Sequence, residues 1–148
     1  MQRTASIATV TLVLLALLGC EPTTAVPAYR TVDAPSVDSI PYSSESVAEN
    51  AANGQRTAVL YFARWAISAD PKGTLLTPAI SRSLADSRFV FMTADLTDFP
   101  GDTFRELKKQ GFVALPVLVL YPVTGPVVGF VSETPESQIV AAIERMGR

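Results

Sequence analysis

Apolar residues gather in four short runs between residues 57 and 131, and segments of helical period lie before, between and after them. Residues 57–63, TAVLYFA, are almost unbroken in their hydrophobicity, as a strand buried on both faces of a central sheet would be. Residues 88–94 read as a second strand ending at Asp95, residues 112–121 (FVALPVLVLY) as a third and residues 127–131 (VVGFV) as a fourth. Ser43 or Ser44 can cap a helix over 45–53, with Gly54 as its stop. Residues 71–86 are helical but interrupted. Asp70-Pro71 offers a cap and an N1 residue, and Thr77-Pro78 repeats the arrangement before a face carrying Ile80 and Leu84. One helix through Gly73 and Pro78 would be strained, so two short ones are expected. Asp102 can cap a helix to Gln110, with Phe104 and Leu107 inward and Gly111 as its end. A turn is expected at 122–126 around Gly125. Thr134, Pro135 and Glu136 then supply a cap, an N1 proline and a first-turn acid for a last helix with Ile139, Ile143 and Met146 as its core stripe. The predicted order is α-β-α-β-α-β-β-α.

The first 42 residues lie outside this pattern. Residues 7–18 form an apolar run broken only by threonines, preceded by Arg3 and too short to span a bilayer comfortably. The run ends Leu17-Leu18-Gly19-Cys20. This resembles the lipobox of bacterial lipoproteins, in which the cysteine is acylated and becomes the mature N-terminus. The resemblance implies a signal segment over 1–20, a lipid anchor on Cys20 and a place in the bacterial cell envelope with the domain in the periplasm. Glu21 after the cysteine implies the outer membrane by enterobacterial sorting rules. An ordinary signal peptide, or an uncleaved anchor, with an incidental cysteine is the alternative. Two acyl chains hold a protein stably on a membrane, at roughly 0.8 kcal/mol for each buried methylene. Residues 21–42 are rich in Pro, Thr, Ser, Val and Ala without period, and read as a disordered tether that cannot offset its own ordering entropy. The folded domain is expected over 43–148.

Charge narrows the function classes. The net charge is −2, and loss of the signal removes Arg3 alone, leaving 11 basic against 14 acidic residues, or −3. No basic cluster points to nucleic acid. The chain has no histidine and one cysteine, which excludes Cys/His zinc sites and histidine-assisted nucleophilic catalysis. No paired carboxylates stand at a convincing spacing. Met92 and Met146 read as core residues and not as copper ligands, because nothing nearby completes a site. No metal and no cofactor is expected.

Residues 59–71, VLYFARWAISADP, run from a buried strand to a tryptophan, a four-residue turn and a helix start. The layout resembles the active-site segment of thioredoxin-fold proteins, and most closely the C-terminal periplasmic domain of the thiol:disulfide interchange reductase, whose pattern is aromatic-Ala-Asp-Trp-Cys-x-x-Cys-Lys. Trp65 stands at the family tryptophan. Ala66 and Ala69 stand at the two cysteine positions, Arg64 at the acidic residue and Asp70 at the lysine. The resemblance covers residues 45–148. It implies an α/β thioredoxin-like fold, with a four-stranded mixed sheet in the order 2-1-3-4 flanked by helices. It also implies a cis peptide bond before Pro116, where the backbone of Leu115 would pair with an extended substrate peptide.

Disulfide exchange needs a thiolate and a resolving thiol, and neither alanine supplies one. Ser68 lies between them without a histidine to activate it. The catalytic set is therefore empty, and Trp65, Ile67, Ser68, Leu115 and Pro116 are the candidate binding residues. Trp65 fits two readings, a contact surface for partners or a packing residue inherited from an active ancestor. Tyr61 reads as core. The expected partner is an envelope protein or extended peptide held by a redox-inactive module, with the membrane engaged through the lipid anchor. A disulfide reductase by ancestry and a structural accessory subunit of a membrane complex are the competing readings.

Overall fold

A computed structural model describes residues 39–69, 73–98 and 101–148 of the chain. Cys20, residues 21–38 of the expected tether and the Asp70-Pro71 cap lie outside the described residues. The elements are β1 (Ile40–Pro41), α1 (Ser44–Ala52), β2 (Thr57–Phe62), α2 (Pro78–Asp86), β3 (Val90–Asp95), α3 (Gly101–Lys109), β4 (Val117–Tyr121), β5 (Val128–Val131) and α4 (Glu136–Gly147), with 3-10 turns at Arg64–Ala69 and Thr74–Leu76.

The strands form one mixed sheet in the order β1-β3-β2-β4-β5. β2 runs parallel to β3 and antiparallel to β4, and β4 runs antiparallel to β5. The four expected strands take their expected order, but the sheet has a fifth. Ile40 and Pro41, assigned from composition to the tether, pair in parallel with Met92 and Thr93, and the Tyr42 amide continues the ladder to the Thr93 carbonyl at 2.9 Å. A proline is tolerated there because the strand lies at an edge, where its missing N–H leaves no ladder partner wanting.

The continuous hydrophobicity of β2 and β4 follows from burial on both faces. Ala58, Leu60, Leu118 and Leu120 point to the side covered by Ile80 and Leu84 of α2 and by Ile139 and Ile143 of α4. Val59, Tyr61, Val117 and Val119 point to the side covered by Leu107 of α3 and Val47 of α1. The domain is thus three layers, helix pair on sheet on helix pair. Met92 is fully buried in the second cluster, while Met146 packs half-buried against the first.

Side-chain caps explain the starts of α1 and α2. Ser43 accepts from the Ser46 amide at 3.3 Å, and Thr77 accepts from the Ile80 amide at 3.3 Å with Pro78 at N1. Two expected caps are corrected. Asp102 lies inside the first turn of α3 and forms an ion pair with Arg105 instead. Thr134 does not cap α4, because the helix starts one residue later than expected, at Glu136, and Pro135, which has no side-chain acceptor, occupies the cap position, while the Thr134 amide closes a turn onto the Val131 carbonyl at 2.9 Å. The third strand is also shorter than its apolar run. It starts at Val117, since Pro116 has no amide to donate to a ladder.

Candidate functional site

Strand register brings two loops to one end of the sheet. Tyr61 near the end of β2 faces Val117 at the start of β4. Trp65 follows Tyr61 by four residues and Pro116 precedes Val117 by one, so the turn and the proline loop leave the same edge of the core. The Leu115-Pro116 peptide bond is cis, as expected from the family likeness.

The turn is fastened to the end of β3. The Phe62 carbonyl accepts from the Leu96 amide at 2.7 Å, and the Arg64 amide donates to Thr97 Oγ1 at 2.9 Å. Thr97 is itself held by its amide on Asp95 Oδ1 at 2.9 Å and by its hydroxyl on the same carboxylate. Arg64 Nε lies 3.8 Å from Asp95 Oδ2, with about two-fifths of the arginine side chain exposed. An exposed pair of this kind contributes about 0–1 kcal/mol, so the backbone bonds dominate the anchoring. The basic side chain reaches back to Asp95 on the neighbouring strand.

Side chains sort clearly within the site. Trp65 is 54% exposed and Val113 is 73% exposed, whereas Ala66 is only 5% exposed. The tryptophan therefore stands at the surface, and Ala66 next to it is covered. Leu115 is half-buried against the second core cluster, and Pro116 is buried at the head of β4. The backbone of Ile67, Ser68 and Ala69 continues the 3-10 turn that carries Trp65; their side chains lie outside the described ones. Val113 was not singled out in the sequence, where it sits within an apolar run that looks like strand. The combination of Gly111 at φ 90° and Pro116 five residues later marks residues between them as loop.

A cluster of hydroxyls lies on the α1 and α3 side of the sheet. Tyr61 and Tyr121 share a hydrogen bond of 2.9 Å, Tyr121 donates to Gln110 Oε1 at 3.3 Å, and the Tyr42 ring meets Tyr61 edge-on at 5.1 Å between centroids. Burial pushes the Tyr61 hydroxyl far above the ordinary phenol range, with neighbouring Tyr121 adding to the shift. Tyr121 is raised as well, again chiefly by burial. These groups stay neutral and hold β2, β4 and α3 together; none is poised to exchange a proton near neutral pH. Among the described residues no group of three or more acidic or cysteine side chains is placed to hold a metal ion.

No protein-family model and no curated protein matches the chain. Solved structures do. A thioredoxin from Thermus thermophilus matches at TM-score 0.50 and 20% identity, over 71% of this chain and 82% of that one. The Malassezia sympodialis thioredoxin matches at TM-score 0.50 and 17% identity, over 80% and 97%. The oxidised C-terminal domain of Neisseria meningitidis DsbD matches at TM-score 0.49 and 17% identity, over 68% and 86%. The two thioredoxins carry the conclusion together with the β3-β2-β4-β5 core. The domain has a thioredoxin-like fold, and the chain's single cysteine, Cys20, lies outside the described residues.

Proposed function

We propose that the domain is a redox-inactive binding module of the bacterial envelope, anchored through acylated Cys20, which holds an extended segment of another envelope protein at the Trp65 turn and the Leu115-Pro116 loop. The observation that carries this reading is the pairing of exposed Trp65 and Val113 with alanine at both former cysteine positions. An exposed tryptophan and an exposed valine, on loops that leave the same edge of the core, are costly to leave in water and are the kind of anchors that interfaces use. Disulfide exchange needs two thiols that this chain does not have. The kinship of fold is thus compatible with binding and not with reductase turnover, and insulin reduction is expected to stay at background.

Crosslinking and affinity capture from intact envelopes test the proposal. The native chain is expected to retain a defined partner, and W65A and V113D are each expected to weaken capture at least about tenfold, since one interface anchor contributes roughly 2 kcal/mol or more. Both positions are exposed, so circular dichroism should show an unchanged fold. Capture that survives both substitutions would place the interface elsewhere. The anchor has its own check: C20S should move the chain from the membrane fraction to the soluble fraction and abolish incorporation of a labelled acyl chain.

A further inference from the structure

At the side of the sheet far from β1, β5 is an edge without the usual protection. Residues 127–131 read Val-Val-Gly-Phe-Val, with no charge and no proline, and among the described residues no strand pairs with the outer side of β5. Edge strands that face water normally carry a lysine, a proline or a bulge, because bare backbone donors and acceptors recruit other strands. The surroundings are apolar too. Val123 and Val127 are more than one-third exposed. Beside them a groove of about 610 Å³ runs between β5 and α4, lined by Val128, Phe130, Ala141, Ala142, Arg145 and Met146 among others. Gln138, Ala141, Ala142 and Arg145 recur at helical spacing and form the face of α4 that borders this groove.

We propose that β5 pairs antiparallel with β5 of a second copy of this chain, about a two-fold axis at Gly129, joining two sheets into one and closing the two grooves against each other. The register follows from the strand itself. With Gly129 opposite its own copy, Val128 faces Phe130 of the second copy and Val127 faces Val131. The first pair lies on the α4 side, where an aromatic and a β-branched residue make a favourable cross-strand contact. The glycine costs nothing at the axis, since on its own face the space a side chain would take is filled by the Phe112 ring.

Charge selects this occupant. α4 runs back along β5, so a two-fold axis lays the two α4 helices side by side in opposite directions. Arg145, in the last turn of one helix, then lies beside the segment that leads into the other helix. Counting the register outward, Pro126 meets Ser132 and Gly125 meets Glu133 of the second copy. Arg145 lines the same groove as Pro126 and Val128, and Glu133 and Glu136 are exposed. None of the ion pairs among the described residues includes any of the three. The two-fold axis brings the cation of each copy to the acids of the other, twice over. Ala141, exposed on α4, is small enough to let the helices approach. The isologous arrangement is closed and leaves no further edge to propagate at β5.

Sedimentation velocity of the full chain carrying C20S, in mild detergent, tests the proposal free of acyl chains and of intermolecular disulfides. A dimer is expected at concentrations up to roughly 100 μM, a modest affinity for an interface of standard kind. E133R and R145E should each weaken it about tenfold or more through like-charge contact, and the E133R/R145E double variant should regain it. V127K, a lysine at the bare edge, should leave only monomer. All of these positions are exposed, and circular dichroism checks the fold. A native chain that stays monomeric, as it would if residues preceding 39 covered the edge, overturns the proposal. So does a dimer indifferent to V127K, or charge reversals that fail to rescue each other.

Discussion

At the scale of single residues, the fold rests on close approaches that composition does not announce. Gly129 is the clearest. A Cβ there would lie 2.2 Å from the Phe112 ring, well inside contact distance. G129A should therefore cost roughly 1–3 kcal/mol in urea unfolding, the usual range for overpacking, and most of that cost should vanish when F112A is the background. In the sequence Gly129 is one glycine in an apolar strand, which signals a bulge or a close approach without naming the neighbour. Trp65 behaves similarly. Its place beside Ala66 was legible, but its exposure depends on how the turn is pinned to Thr97, thirty-odd residues away. Ser43 and Thr77 were readable as caps because a cap is a local event, decided within four residues. Thr134 resembles one in the sequence, but α4 starts at Glu136 and leaves Pro135 at the cap position.

At the scale of elements, periodicity and capping carried most of the prediction. The buried strands could be read because residues on both faces meet helices, leaving no polar alternation to confuse them. T77A should show how far α2 depends on its cap: a loss of about 1 kcal/mol in thermal or urea unfolding is expected, since Ile80 would lose the side-chain acceptor of its amide. Conservative T77S should keep most of that stability. β1 was not legible. Two residues, one of them proline, show no period, and what recruits them is the open side of β3, a long-range fact. The third strand was read too long for the opposite reason. Hydrophobicity continues through Val113 and Leu115, but backbone pairing begins only after Pro116.

For the molecule as a whole, the tyrosine cluster ties layers together and sets a limit in alkaline solution. Tyr61 and Tyr121 both hold their protons above the ordinary phenol value of 10.0 in the folded chain. The unfolded chain releases those protons first. Stability is therefore unaffected by these groups below about pH 10 and falls as the pH rises beyond it, by up to about 1.4 kcal/mol per pH unit for a fully buried hydroxyl such as that of Tyr61. Thermal melts between pH 8 and pH 11 should show that decline, and Y61F/Y121F should flatten it while costing about 1 kcal/mol at neutral pH for the lost bond. The layered fold was legible because it follows from element order and handed crossovers. The meeting of Tyr42, Tyr61, Tyr121 and Gln110 was not, since it needs the register of β2 on β4 and the tilt of α3, neither of which is written locally. The same holds for the site, where two loops fifty residues apart become neighbours only through the pairing of Tyr61 with Val117.

Trp65 is the chain's sole tryptophan and stands half in water at the candidate site. Its fluorescence is thus a native optical probe of that one surface, free of background from any other indole. A peptide that covers the turn should shift the emission to shorter wavelength and shield it from iodide, whereas association through β5 should leave the spectrum unchanged. The molecule carries its own means of distinguishing events at the turn from events along the β5 edge, with no added label.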